Sequence, residues 1–148
     1  MCSGDLLAQK VVERKKRYDV KRGLTFWAIG TFFLGPIACK WYYTLESVYS
    51  QSKGIQKVGK MVLTDQAIFA PFALSTTMGI VGFVQSNGDL ASVKNKMDSN
   101  FISVLCDNYK FWPFVQIINF NFVPIHLRLM FANSVAVIWN TYLSWRIN

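Results

Sequence analysis

Histidine, cysteine and acidic side chains are all scarce in this sequence, and each shortage removes a class of chemistry. The single histidine, His126, cannot complete a zinc site. Cys2, Cys39 and Cys106 form no C-x-x-C pair and no ligand cluster, so neither a metal centre nor a disulfide framework is expected. There is no glycine-rich phosphate loop and no catalytic triad, so no residue set proposes an enzyme or a cofactor. The opening MCSGD is not read as a signal peptide, because no basic stretch precedes an apolar one there.

What charge there is lies unevenly. The net charge is +8, and seven of the sixteen Lys and Arg fall within KVVERKKRYDVKR at 10–22. A basic run can bind nucleic acid, but this one holds one aromatic, Tyr18, and directly precedes an apolar stretch, so membrane topology explains it better. Uncharged runs follow at 23–39, 66–88 and 129–145, of 17, 23 and 17 residues. At about 1.5 Å per residue they give roughly 25–35 Å of helix, against a hydrocarbon core of about 30 Å. The class expected is all-α: one integral membrane domain over 1–148, with the lipid bilayer as its first partner and no nucleic acid.

The spans follow from these runs. Residues 1–12 look helical but too short to cross. A span over 23–49 ends in Lys40-Trp-Tyr-Tyr, aromatic rings and a snorkelling lysine at headgroup level, and Gly35-Pro36 should kink it. QSKG at 51–54 reads as a turn into a second span over 55–84. Along that span Ala67, Pro71, Ser75 and Gly79 recur every four residues, a strip of small side chains suited to close helix packing. After the turn QSNGD, an amphipathic helix over 89–108 puts Leu90, Val93, Met97, Phe101, Val104 and Leu105 on one face. It is expected on the membrane surface or against the bundle. The stretch FWPFVQIINFNFV at 111–123, opened by Trp112-Pro113, is expected as an interfacial elbow, and a final span over 124–146 starts at Pro124.

Few polar residues lie in the apolar stretches. Asn119, His126, Asn133 and Asn140 are spaced by sevens, so on a helix they would share one face. Such a stripe must face other helices or water. It reads either as interhelical hydrogen bonding or as a pore lining, with Gln116 and Asp65 as further pore-lining candidates. Asp65 reads equally as an interfacial carboxylate paired with a lysine, and it should not meet Arg128.

Several stretches together resemble the family of the peroxisomal membrane protein and the Mpv-type mitochondrial inner-membrane protein. They are GDLLAQ (4–9), LGPIACKWYYTLE (34–46), KMVLTDQAIFAP (60–71), NYKFWPFVQIINFNFVPIHLRL (108–129) and VIWNTYLSW (137–145). Within them Trp112, Pro113, Pro124 and Arg128 stand as structural motif positions. The ending is most similar to the mitochondrial branch. The resemblance implies a small four-helix protein of the inner mitochondrial membrane, the peroxisomal membrane being the alternative. It also implies a weakly selective pore for small solutes or ions, linked to mitochondrial DNA maintenance, nucleotide supply and reactive-oxygen balance. Family members carry a full first helix before the GDLLAQ-like motif, of which 1–12 would be a remnant.

The expected architecture is therefore three complete spans, a remnant of another and an interfacial helix, with a homo-oligomer left open. A non-conducting scaffold is the rival function. The connector 10–22, loop 85–112 and Arg128 should share one side, with eleven Lys and Arg, and loop 40–60 and Arg146 the other, with five. By analogy with the positive-inside rule, the first side is assigned to the matrix.

Overall fold

The computed structural model describes residues 20–146, and the expected helix at 1–12 lies outside them. Every element among the described residues is helical. Helix α1 runs over 20–48 as Val20–Ala28, a π-helical turn Ile29–Leu34 and Gly35–Val48. Helix α2, Gly54–Gln85, contains a second π turn at Asp65–Phe69. Helix α3 is Leu90–Phe122, and α4 is Arg128–Arg146 after a short 3-10 turn at Ile125–Leu127.

Both π turns have the same local cause. Each ends two residues before a proline, at Gly35-Pro36 and Ala70-Pro71, and the Gly35 and Ala70 N–H groups reach back five residues to Gly30 and Asp65. A proline ring inside a regular helix collides with the carbonyl four residues earlier, and widening the preceding turn relieves this. At Gly35 the wide turn leaves no room for a side chain, since an added Cβ would lie 2.7 Å from the Gly30 carbonyl oxygen. Gly35→Ala is expected to destabilise the protein by about 1–3 kcal/mol in reversible unfolding in detergent. Gly79→Ala, where nothing lies within 4 Å of the new Cβ, should be neutral or slightly stabilising.

The α2–α3 turn uses left-handed backbone at Asn87 and Gly88 (φ 53° and 91°). Asp89 then caps α3 by accepting from the Ala91 N–H at 3.0 Å. The Ser92 hydroxyl and that N–H hold the Asp89 carboxyl below the usual carboxylate range.

Beyond this turn the structure corrects the expected path. Residues 111–122 are not an elbow: α3 is one helix of 33 residues that continues through Pro113. A proline costs about 3 kcal/mol or more in a helix interior. Here Val104, Asn108, Gln116, Asn119 and Phe120 are buried on either side of it, and that tertiary packing keeps the helix intact. The chain breaks instead at Val123, which the following Pro124 drives into extended backbone (φ −93°, ψ 125°).

Because α3 runs the length of the bundle, the sides assigned to the last segments change. Arg128 meets Glu46 near the α1–α2 turn, which defines a Lys57 end. Arg146 meets Ser103 and Asn100, towards the Asp89 end. The four helices thus alternate in direction, and Arg128 shares the end occupied by 40–60 rather than opposing it.

The small strip of α2 does not make the close packing expected of it. Ala67 is exposed, Pro71, Ser75 and Gly79 are half-buried, and among the described residues none lies within 4 Å of a Cβ added at Gly79. The adjoining face packs instead: Gly82 lies against Val93, and Leu74 and Met78 join Val104, Trp139 and Leu143 in one core cluster. A second cluster at the Lys57 end gathers Tyr42, Leu45, Val58, Met61, Val62, Phe120 and Ala132.

Polarity is inverted relative to a water-soluble bundle. Asp65, Gln66, Asn108, Gln116, Asn119 and Asn140 are buried, whereas Phe32, Phe114 and Phe122 stand 70–75% exposed. Exposed apolar rings, with polar side chains held among the interior apolar clusters, are stable where the surroundings are lipid. Gly23–Val48 and Gly54–Gln85 are each long and apolar enough to cross a bilayer.

Candidate functional site

The interior polar groups form a connected network between α1, α2 and α3. Its centre is Asp65, placed in the π turn of α2. The Asp65 carboxylate accepts from Trp41 Nε1 at 2.9 Å, Gln66 Nε2 at 3.0 Å and Gln116 Nε2 at 3.2 Å. Gln116 also donates to the Tyr42 hydroxyl at 3.2 Å and accepts from Asn119 Nδ2 at 3.0 Å. On the far side Asn108 Nδ2 donates to Gln66 Oε1 at 3.1 Å. Asn108, Trp112 and Gln116 are spaced by fours, so α3 presents all three along one face. Stacking of Trp41 on Phe69, with centroids 5.8 Å apart, holds the indole that donates to Asp65.

Beside this network lies a cavity of about 710 Å³ enclosed by all four helices. Both π turns contribute to its wall, through Gly30, Thr31 and Leu34 and through Asp65, Gln66 and Phe69. From α3 come Asn108, Trp112 and Gln116, and from α4 Asn133, Ala136, Trp139 and Asn140. Asp65 is the single charged side chain among the described lining residues. It is 2% exposed and makes no ion pair among the described residues. The lining residues Trp27, Thr31, Pro36 and Asn133 are exposed, which puts the cavity's mouth between α1 and α4.

The structure divides the residues proposed from the sequence. Asp65, Gln116, Asn133 and Asn140 line the cavity. Asn119 is fully buried behind the wall, on a different helix from Asn133 and Asn140, and His126 is exposed on the 3-10 turn. The heptad stripe is therefore broken, because Val123 to Leu127 interrupt the helix that would have carried it. Asp65 takes indole and amide partners in place of the expected lysine. Trp112 lines the cavity, whereas Arg128 closes the Lys57 end, where its guanidinium donates to Glu46, Val123 and Phe120.

Other lining residues were missed. Asn108 was readable as one more step of the α3 ladder, and Gln66 as the neighbour of Asp65. Cys39, Thr77 and Trp139 carried no signal distinguishing a wall from a core. Among the described residues two buried side-chain atoms lack a partner, Asn119 Oδ1 and Asn140 Nδ2. The second belongs to a cavity-lining residue. Among the described residues, no group of His, Cys, Asp or Glu could hold a metal ion.

Comparison with known proteins matches residues 82–144 to the Mpv17 / PMP22 family. The mitochondrial inner membrane protein Mpv17 of Danio rerio is 38% identical over 98% of this chain and 82% of its own length. Its human counterpart is 39% identical over 97% of the chain and 81% of its own length. PXMP2/4 family protein 2 of Dictyostelium discoideum is 33% identical over 97% and 77%. No solved structure matches.

Proposed function

The chain belongs to the Mpv17/PMP22 family, and we propose that its central cavity is the hydrated section of a membrane pore for small solutes or ions. The observation that carries this reading is a cavity of about 710 Å³ inside a helical bundle that exposes large apolar residues, its mostly apolar wall interrupted by Asp65, Gln66, Asn108, Gln116 and Asn140. A bundle stabilised by packing alone has no use for such a void, because every lining atom forgoes contacts. A solute path needs what the wall offers, amide dipoles and a carboxylate able to replace part of a hydration shell. The mitochondrial inner membrane is the localisation carried in the names of the Mpv17 relatives, and the link to mitochondrial homeostasis rests on the same membership. In this reading α3 and α4 cross the bilayer beside α1 and α2. Helix α3, about 50 Å long, then reaches beyond the hydrocarbon at the Asp89 end.

The scaffold reading keeps one observation of its own, the open small-residue face at Ala67, Pro71 and Gly79, which a neighbouring protein could cover. The two readings part at Cys39, which lines the cavity and is half-buried. In a Cys2→Ser, Cys106→Ser background reconstituted in planar bilayers, a cationic methanethiosulfonate should modify Cys39 and remove most of the current. If Cys39 is modified and the current is unchanged, or if the thiol stays unreactive in the conducting protein, the cavity is not the path.

A further inference from the structure

We propose that the cavity is a binding site for an alkylated ammonium ion that also carries a hydrogen-bond acceptor. The inference deepens the pore reading and rests on it for the cavity being wetted.

Three features select this chemistry. The first is charge. Asp65 is the only charged group among the described lining residues, and no basic side chain there offsets it. The second is an aromatic corner. The indoles of Trp112 and Trp139 both line the cavity, 6.3 Å apart between centroids and inclined at 75°. Phe111 stacks on one face of Trp139, with centroids 5.7 Å apart, so the cage walls open to an ammonium are the other face of Trp139 and the Trp112 indole. Such an ion is attracted to indole faces within about 6 Å. Trp112 sits one helical turn from Gln116, about 6 Å, and Gln116 Nε2 is 3.2 Å from the Asp65 carboxylate. Cage and charge are therefore linked along one face of α3 and line the same cavity.

The third feature is an unused donor. Asn140 is 3% exposed, follows Trp139 directly, lines the cavity, and its Nδ2 has no partner. Nδ2 is a donor only, so it calls for a hydroxyl or carbonyl oxygen on the ligand.

The same geometry disfavours a metal ion. A hard divalent cation takes six or more oxygen ligands, whereas Asp65 already accepts three hydrogen bonds and, among the described residues, has no second carboxylate beside it. An alkylated ammonium is diffuse and weakly hydrated. It needs a field and aromatic faces rather than coordination. The volume lies within the range of about 300–1,000 Å³ usual for small-ligand pockets. Such an ion can arrive free in water or as the headgroup of a lipid, and the mouth at Thr31 and Asn133 lies between two helices where either has access.

The test uses the full chain in maltoside micelles, with intrinsic tryptophan fluorescence as the readout and choline chloride as the probe. Choline should change the fluorescence saturably, while 3,3-dimethyl-1-butanol, its uncharged isostere, should not. Tetramethylammonium, which lacks the hydroxyl, should bind about fivefold more weakly than choline. Asp65→Asn should weaken choline binding tenfold or more, and Asn140→Leu should abolish the preference for choline over tetramethylammonium. Lysophosphatidylcholine run beside choline identifies the source, since saturation by the lysolipid alone assigns the site to a lipid headgroup. Equal responses to choline and its neutral isostere, or none to choline and lysolipid alike, would overturn the proposal. Because wild-type protein and the isostere pair decide it, a variant that misfolds does not. Saturable binding without current in bilayers would refute the pore and leave the site standing.

Discussion

Replacing Arg128 by alanine should destabilise the bundle by about 2–4 kcal/mol, more than any other truncation at the Lys57 end. The side chain is 7% exposed and closes three connections at once. Its Nη1 donates to Glu46 at 2.7 Å, tying the α3–α4 junction to α1. Its Nε donates to the Val123 carbonyl at 3.1 Å and its Nη2 to the Phe120 carbonyl at 3.3 Å. Those carbonyls belong to the last turn of α3, where no further helical N–H can reach them and a positive charge is favoured by the helix dipole. The guanidinium also lies 5.4 Å from the Phe120 ring centre. In lipid no water replaces these partners.

Lysine at 128 should recover less than half of the loss, since one ammonium cannot serve three acceptors set by a planar fork. Glu46 also pairs with Lys57, so Glu46→Gln should cost less than Arg128→Ala. The coupling between the two changes should be about 1–2 kcal/mol in a double-mutant cycle read by reversible unfolding in detergent. A loss under about 0.5 kcal/mol for Arg128→Ala would mean that the junction is held by Pro124 and the packing of Phe120 alone.

How much of this was legible in the sequence depended on the kind of signal. The uncharged runs at 23–39 and 66–88 named two helices because apolar length is a property of the chain itself. Asn87-Gly88-Asp89 named a turn because left-handed backbone and a cap are local demands. Pro113 misled for the same reason. As a local breaker it argued for an elbow, but the side chains around it are held by α2 and α4, and packing between distant segments is not written in any short window. The error then spread: with the elbow gone, α3 crosses the bundle and Arg128 changes ends. The heptad of asparagines failed at the same step, since spacing by sevens places residues together only on an unbroken helix.

The candidate site was partly legible. Asp65 stood out as a carboxylate in an apolar stretch, but the helix it meets was not foreseeable. Its partners Trp41 and Gln116 lie 24 and 51 positions away. The Asn108-Trp112-Gln116 ladder was visible as spacing, yet nothing on α3 alone says whether a polar face bonds a neighbouring helix or borders a void. The cavity itself arises from four helices at once, two of them widened by π turns ahead of Pro36 and Pro71. Such a widening can be anticipated from proline, but its direction cannot.

Asp65→Asn should lower the cation-over-anion permeability of the proposed pore about five- to tenfold. A unit charge is worth about 1 kcal/mol at 4 Å in bulk water and about 4 kcal/mol at the dielectric typical near a protein. In a wetted cavity walled by helices the effect falls between these limits, and each 1.4 kcal/mol is about a factor of ten. No basic group among the described lining residues offsets the carboxylate, so its field acts on any ion in the cavity. Asparagine keeps the shape and one acceptor oxygen. Trp41 Nε1 can still donate to it, and the amides of Gln66 and Gln116 can turn to accept from the new NH₂. Asp65→Leu is the contrasting variant, because it removes the acceptor of three hydrogen bonds, leaving Gln116 Nε2 only its bond to Tyr42, and should lose about 3 kcal/mol or more of stability. The measurement is the reversal potential across a planar bilayer under an asymmetric potassium chloride gradient. With the wild-type protein it should lie on the cation-selective side, and with Asp65→Asn it should move most of the way to zero at similar conductance. An unchanged reversal potential in a folded Asp65→Asn protein would separate the carboxylate from the ion path and leave Asp65 as a structural hub joining α1, α2 and α3.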